Sequence, residues 1–154
     1  MSTFSEYATD FRARPECYRV GRGEAGVFKV QPYKSELLPL WSFKSVEAAR
    51  ASAEALWAAY ERYRADSDFV GMDMARKYLE MGFTRSMRYA KYPGGRKITP
   101  DGEPVRPQRW ADAAKHEGAL LFKAKWDAVG ADPVYQERKA AHQARPRPAD
   151  CDEP

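Results

Sequence analysis

Between Arg76 and Lys97 the sequence sets seven cations (Arg76, Lys77, Arg85, Arg88, Lys91, Arg96, Lys97) against one acid, Glu80, and interleaves them with Tyr78, Phe83, Tyr89 and Tyr92. Guanidinium and ammonium heads neutralise phosphates, and an aromatic ring stacks on an unpaired base, so this is the chemistry of nucleic-acid backbone binding. Tyr89 or Tyr92 is the expected stacking residue, and the stacking requires Tyr89 to be exposed. Such contacts give affinity with little sequence preference. The competing account places Tyr78, Phe83 and Tyr89 in the core and leaves the cations as a solvated face, as most charge runs are.

Two carboxylates stand beside this stretch. Asp68 and Asp73 are of a type that serves enzymes as acid, base or nucleophile. Helix capping by Asp68 and a surface ion pair at Asp73 explain both without catalysis. An enzyme acting on a nucleotide or nucleic acid is therefore the alternative reading. It requires a concave pocket holding a pKa-shifted carboxylate near Arg85 or Arg88. A protein-interaction adaptor is a further alternative, requiring an exposed apolar patch on a helix over residues 108–129. No catalytic residue is assigned.

Other chemistry is thin. Gly21-Arg22-Gly23-Glu24-Ala25-Gly26 spells GxGxxG, but a dinucleotide fold needs a helix after it, and here the strand-like run Val27–Val30 follows. A β-hairpin with a glycine turn is the expected meaning, with Arg22 at the tip positioned to touch an anion. His116 and His142 have no ligand cluster at metal spacing, and neither a GxSxG nor a Walker motif occurs. No metal or cofactor is expected.

The elements that would position the cations follow from helical spacing. Ser67 or Asp68 caps a helix with Met72, Ala75, Tyr78 and Leu79 on its core face, and with Asp73, Arg76, Lys77 and Glu80 on a solvated one. Gly82 is expected to end it and Thr84 to cap a second short helix carrying Arg85, Arg88 and Lys91. The stretch 67–97 is thus helix-turn-helix-like, and the second helix's unpaired N–H groups form a phosphate seat. Pro93-Gly94-Gly95 breaks that helix and leaves Arg96 and Lys97 on a loop.

Elsewhere, Ser45 caps a helix over Val46–Ala65, a turn-rich loop spans Ile98–Pro107, a helix covers about Gln108–Val129, and Asp132-Pro133 opens a last helix. The expected fold is α+β, mainly helical with three to four helices and a small N-terminal antiparallel hairpin or sheet. Residues 1–17 read as loosely ordered, 18–143 as one globular domain and 144–154 as a disordered tail.

An apolar content of 44% with 31% charged residues suits a globular chain with a very polar surface, and a formal net charge of +4 leans toward nucleic acid or another polyanion as partner. No apolar run reaches membrane-spanning length and no signal peptide is visible, so a cytoplasmic protein is expected. Cys17 and Cys151 lie near opposite ends, and reduced thiols are expected.

Taken together, YRVGRGEAGVFKVQPYKSELLPLW, SDFVGMDMARKYLEMGFTRSMRYAKYPGGRK and the closing W..V.ADP.Y resemble the small bacterial and phage family catalogued as domain of unknown function 4385. The resemblance spans roughly Tyr18–Arg138, and ITPDGEPVRPQRW looks like that family's variable loop. It implies no activity.

Overall fold

Met72, Ala75, Tyr78 and Leu79 mark one apolar helical stripe, but the half of the helix that carries them is enclosed on every side. In the computed structural model, which describes residues 9–21 and 23–152, Val70 through Leu79 are all buried. Among the described residues the elements are α1 (Tyr33–Leu37), α2 (Val46–Ala65), α3 (Phe69–Lys91), α4 (Ala113–Ala131) and α5 (Pro133–Ala144). Short 3-10 turns lie at Pro15–Cys17, Leu38–Leu40, Pro93–Gly95 and Ala149–Asp152. The central helix α3 packs against both α2 and α4, and these two also touch each other.

The caps are local and chemical. Ser45 Oγ accepts from Ala48 N at 3.0 Å, Asp68 Oδ1 from Gly71 N at 3.1 Å, Asp112 Oδ1 from Lys115 N at 3.1 Å and Asp132 Oδ1 from Val134 N at 2.9 Å. Each satisfies an amide that has no partner inside its helix. The α2 stripe then buries Ala49, Ala53, Leu56, Tyr60 and Tyr63, while Phe122 and Val129 anchor α4.

The expected N-terminal hairpin is absent. The described part of the chain holds no strand, only two isolated bridges, Asp10 to Gln31 and Ile98 to Pro104, so the fold is all-helical and not α+β. The reason lies in where the loop's carbonyls find donors. Arg76 Nη1 donates to Gly23 O at 2.9 Å, Lys77 Nζ to Ala25 O at 2.6 Å, and the Tyr78 hydroxyl to Val27 O. Three successive side chains of α3 thus replace a partner strand. Arg22 lies outside the described residues, as do residues 1–8.

The second correction concerns Gly82. It does not end a helix, because α3 continues to Lys91 and Thr84 caps nothing. Gly82 instead lets α4 approach: a Cβ there would stand 2.4 Å from Phe122 Cδ1. Gly71 does the same for α2, where a Cβ would stand 2.4 Å from Tyr63 Cγ.

The third concerns the chain ends. Cys17 and Cys151 form a disulfide with Cα atoms 5.4 Å apart, where reduced thiols were expected. After Ala144, Arg147 Nε donates to Cys17 O at 3.1 Å and Asp150 pairs with Arg14 at 2.9 Å. At the other end Phe11 is buried, and Arg12 pairs with Glu36 at 2.7 Å. Two cysteines separated by 134 residues meet only because the helices bring both ends to one side, which spacing alone does not reveal.

Gly82→Ala is expected to lower unfolding free energy by about 1–3 kcal/mol through overpacking against an aromatic ring, read from urea unfolding, with Phe122→Leu in the same chain recovering part of the loss. Cys17→Ser with Cys151→Ser is expected to cost about 2–5 kcal/mol under non-reducing conditions, and no cost at all would mean the thiols are reduced in solution.

Candidate nucleic-acid interface

The eight residues marked by the sequence as a phosphate surface, Arg76, Lys77, Arg85, Arg88, Tyr89, Lys91, Arg96 and Lys97, fall into two groups. Arg76 and Lys77 are 8% and 2% exposed and belong to the interior. The others lie on the C-terminal half of α3 and the loop after it, where Arg85, Arg88, Tyr89, Arg96 and Lys97 are exposed and Lys91 is half-buried.

The interior pair serves Asp73, which is fully buried. Its carboxylate accepts from the Tyr18 hydroxyl, from Tyr135 OH at 2.6 Å and from Arg76 Nη2 at 2.9 Å. Burial works to raise its pKa; the Arg76 guanidinium, the two phenols and Lys77 outweigh that and hold it below the usual carboxylate range. Arg76 also pairs with Glu80 at 2.9 Å. A solvated helix face at Asp73, Arg76 and Lys77 is thus replaced by a closed ion network. A depression of about 380 Å³ lined by Arg76, Glu80, Tyr135 and Lys139 lies alongside, but Asp73 is not part of its wall. Asp68 is committed to its cap and accepts from Tyr33 OH at 2.6 Å and from Arg12 Nε at 3.2 Å.

In the outer group, Arg85 and Arg88 share one helix face at i and i+3, with Tyr89 one turn after Arg85, and Tyr92 follows the helix end in extended backbone. The expected phosphate seat is lost, since no helix begins at Thr84 and the amides there lie inside a continuous helix. What stands in its place is a turn folded back on the helix. Arg88 Nε donates to Gly95 O at 2.5 Å, and Gly94 and Gly95 take φ of 62° and 73°, conformations that favour glycine. Tyr89 lies beneath this turn, with Phe43 5.7 Å away and Lys115 Nζ 5.9 Å from its ring centroid, and is 37% exposed. Its ring is therefore partly open. Lys97 Nζ sits 5.8 Å from the Tyr92 ring centroid.

The loop beyond is pinned at its return. Gln108 N donates to Lys91 O at 2.8 Å and Ala111 N to Ala90 O at 2.8 Å, satisfying carbonyls at the end of α3. On this returning loop, Arg106 and Arg109 are also exposed. Sequence reasoning left them out, although the cations of VRPQRW extend the run past Lys97 and proline-rich spacing already marked the segment as loop. On α4, Leu120 is the large apolar side chain exposed among the described residues, a single residue where the adaptor reading needs a patch.

Such an arrangement defines an all-helical protein whose central helix is polar inside and cationic at its outer end. The chain belongs to the family described as Domain of unknown function (DUF4385), which matches residues 2–145. Comparison with curated proteins and with solved structures finds no significant match.

Asp73→Asn is expected to destabilise by about 1.5–3 kcal/mol, because Arg76 and the two phenols lose a charged acceptor while Arg76 keeps Glu80, measured by chemical unfolding. The same network sets the response to pH. Asp73 has a folded pKa below its unfolded value near ~3.9, so its contribution is present above about pH 4 and lost as pH falls through the folded value. Burial first, and neighbouring carboxylates second, raise the Tyr18, Tyr33, Tyr60, Tyr63 and Tyr135 hydroxyls, so their contribution is complete below about pH 10 and lost above it. Cooperative unfolding coincident with a jump in tyrosinate absorbance above about pH 10 is the expected outcome, and gradual phenol titration in a folded protein would contradict it.

Proposed function

We propose that the outer half of α3 and the loop following it form a binding surface for the phosphate backbone of a nucleic acid, without catalysis of its own. One observation carries this reading: among the described residues, none of Arg85, Arg88, Lys91, Arg96 and Lys97 meets a carboxylate. Arg12, Arg14, Arg64, Arg76 and Lys123, all outside this surface, do. Cations left without acids over one continuous stretch keep their field directed at solvent, where a polyanion releases counterions on contact. Arg106 and Arg109 extend the surface along the loop, and Lys91 lies at its margin.

The glycine turn and the return of the chain onto α3 fix these heads to a stiff support. Less conformational entropy is lost on binding than with a flexible basic tail. The partly open Tyr89 ring offers an edge beside the phosphates, with room for limited stacking at a strand end or an unpaired base.

Fluorescence anisotropy with a labelled duplex between about 50 and 200 mM salt tests the proposal. Five neutralised phosphates correspond to a log–log salt slope of about −4.5, and R85E/R88E is expected to reduce it to about −3 or abolish binding. Both residues are exposed, so circular dichroism should show an unchanged fold. Salt-independent binding, or a double variant that binds as well as the parent, would overturn the assignment.

A further inference from the structure

The loop that returns to α3 carries an aromatic pair that the phosphate contacts leave unused. Gln108 N donates to Lys91 O and Ala111 N to Ala90 O, so the two residues between them, Arg109 and Trp110, form a short arch held against the last turn of α3. The Trp110 ring lies flat on His116, near the start of α4, with centroids 3.8 Å apart and planes 15° from parallel. We infer that Trp110 is a stacking platform for an unpaired base, so that the polyanion bound by the outer surface of α3 is a single-stranded nucleic acid. This inference rests on the backbone-binding surface proposed above and names the class of its ligand.

Trp110 is not consumed by the core. Trp41, Trp57 and Trp126 all pack against the buried apolar cluster, and Trp110 does not. It is half-buried, and its indole N–H meets no acceptor among the described residues, whereas a tryptophan built into an interior generally places that group on a partner. What the fold does supply is orientation. The imidazole beneath the ring and the two backbone bonds flanking the arch fix the indole before any ligand arrives, so little freedom is lost when a base settles on it.

The charge beside the ring matches such a ligand. The Arg109 guanidinium stands 5.8 Å from the Trp110 ring centroid, close enough to take the phosphate of a nucleotide whose base lies on the indole. Arg106 and Arg109 are exposed and, among the described residues, pair with none of the acids near them in sequence, Asp101, Glu103, Asp112 and Glu117. Asp112 is committed to its cap on Lys115 N. A duplex keeps its bases paired and stacked within itself, so it offers this platform nothing but an end. A single strand offers a base at every residue, and any base has a face that an indole accepts.

The test is fluorescence anisotropy at one salt concentration with three labelled probes: an oligothymidylate, a strand of equal length and charge with abasic residues at its centre, and a duplex. The parent is expected to bind the oligothymidylate more tightly than the abasic strand by about five- to a hundredfold, the effect of stacking one base, and more tightly than the duplex. Trp110→Leu is expected to bind both single strands alike, with an unchanged circular dichroism spectrum. R85E/R88E is expected to weaken both strands by the same factor, because it removes phosphate contacts common to them. Equal parental affinity for the two strands, tighter binding of the duplex, or a Trp110→Leu protein that keeps the preference would each overturn the inference. Salt-independent binding untouched by R85E/R88E would instead remove the underlying surface, and the inference with it. Should Trp110→Leu not fold, a bromouracil strand irradiated on the parent protein decides: a crosslink to Trp110 supports the platform, and crosslinks confined to other residues overturn it.

Discussion

An ionised carboxylate placed in a protein interior must be surrounded by donors or it empties the interior of its stability. Asp73 is such a group, and most of this fold can be understood as the means of surrounding it. Tyr18 comes from the N-terminal segment, Tyr135 from α5, and Arg76 from the next turn of its own helix. Arg76 in turn reaches the glycine loop. Elements far apart in sequence are therefore required to converge on one turn of α3, and the loop needs no sheet because the helix supplies its hydrogen bonds.

The same device recurs at lower burial. Tyr60 donates to Asp132 at 2.6 Å and Tyr63 to Glu36 at 2.7 Å, while Tyr33 donates to Asp68. Asp68 and Asp132 are also helix caps, so each phenol braces one helix against the start of another. Arg64, Tyr60 and the Val134 amide together hold Asp132 down to about 2. Rings that bury apolar area while ending in a hydroxyl suit this use, since the polar tip meets an acid at the edge of the core. Acids near the first half of α3 are paired, while among the described residues the cations at its far end form no ion pair.

Much of the helical skeleton was legible in the sequence because caps and periods are local signals. Ser45, Asp68 and Asp132 each announced a helix start, and Val46–Ala65 follows from its stripe. The misread parts are those where a residue's neighbours are distant. Asp73, Arg76 and Lys77 have the spacing of a solvated face, and nothing local reveals that Tyr18, Tyr135 and the glycine loop cover them. Gly82 has the context of a helix end, yet its role is set by Phe122, forty residues on. Runs such as Val27–Val30 have strand-like composition but, among the described residues, no partner strand. Of the candidate site, the exposed half was legible as a charge cluster; its division into buried and outer cations was not.

The bond between Cys17 and Cys151 makes nearly the whole chain a covalent ring. A single peptide cut anywhere between them leaves two pieces that still migrate as one molecule until a thiol reagent is added. The turn at Thr99–Glu103, exposed and closed by little more than Thr99 and Glu103 themselves, is a natural place for such a hidden nick. In this protein, intactness on a gel and continuity of the backbone are therefore separate properties.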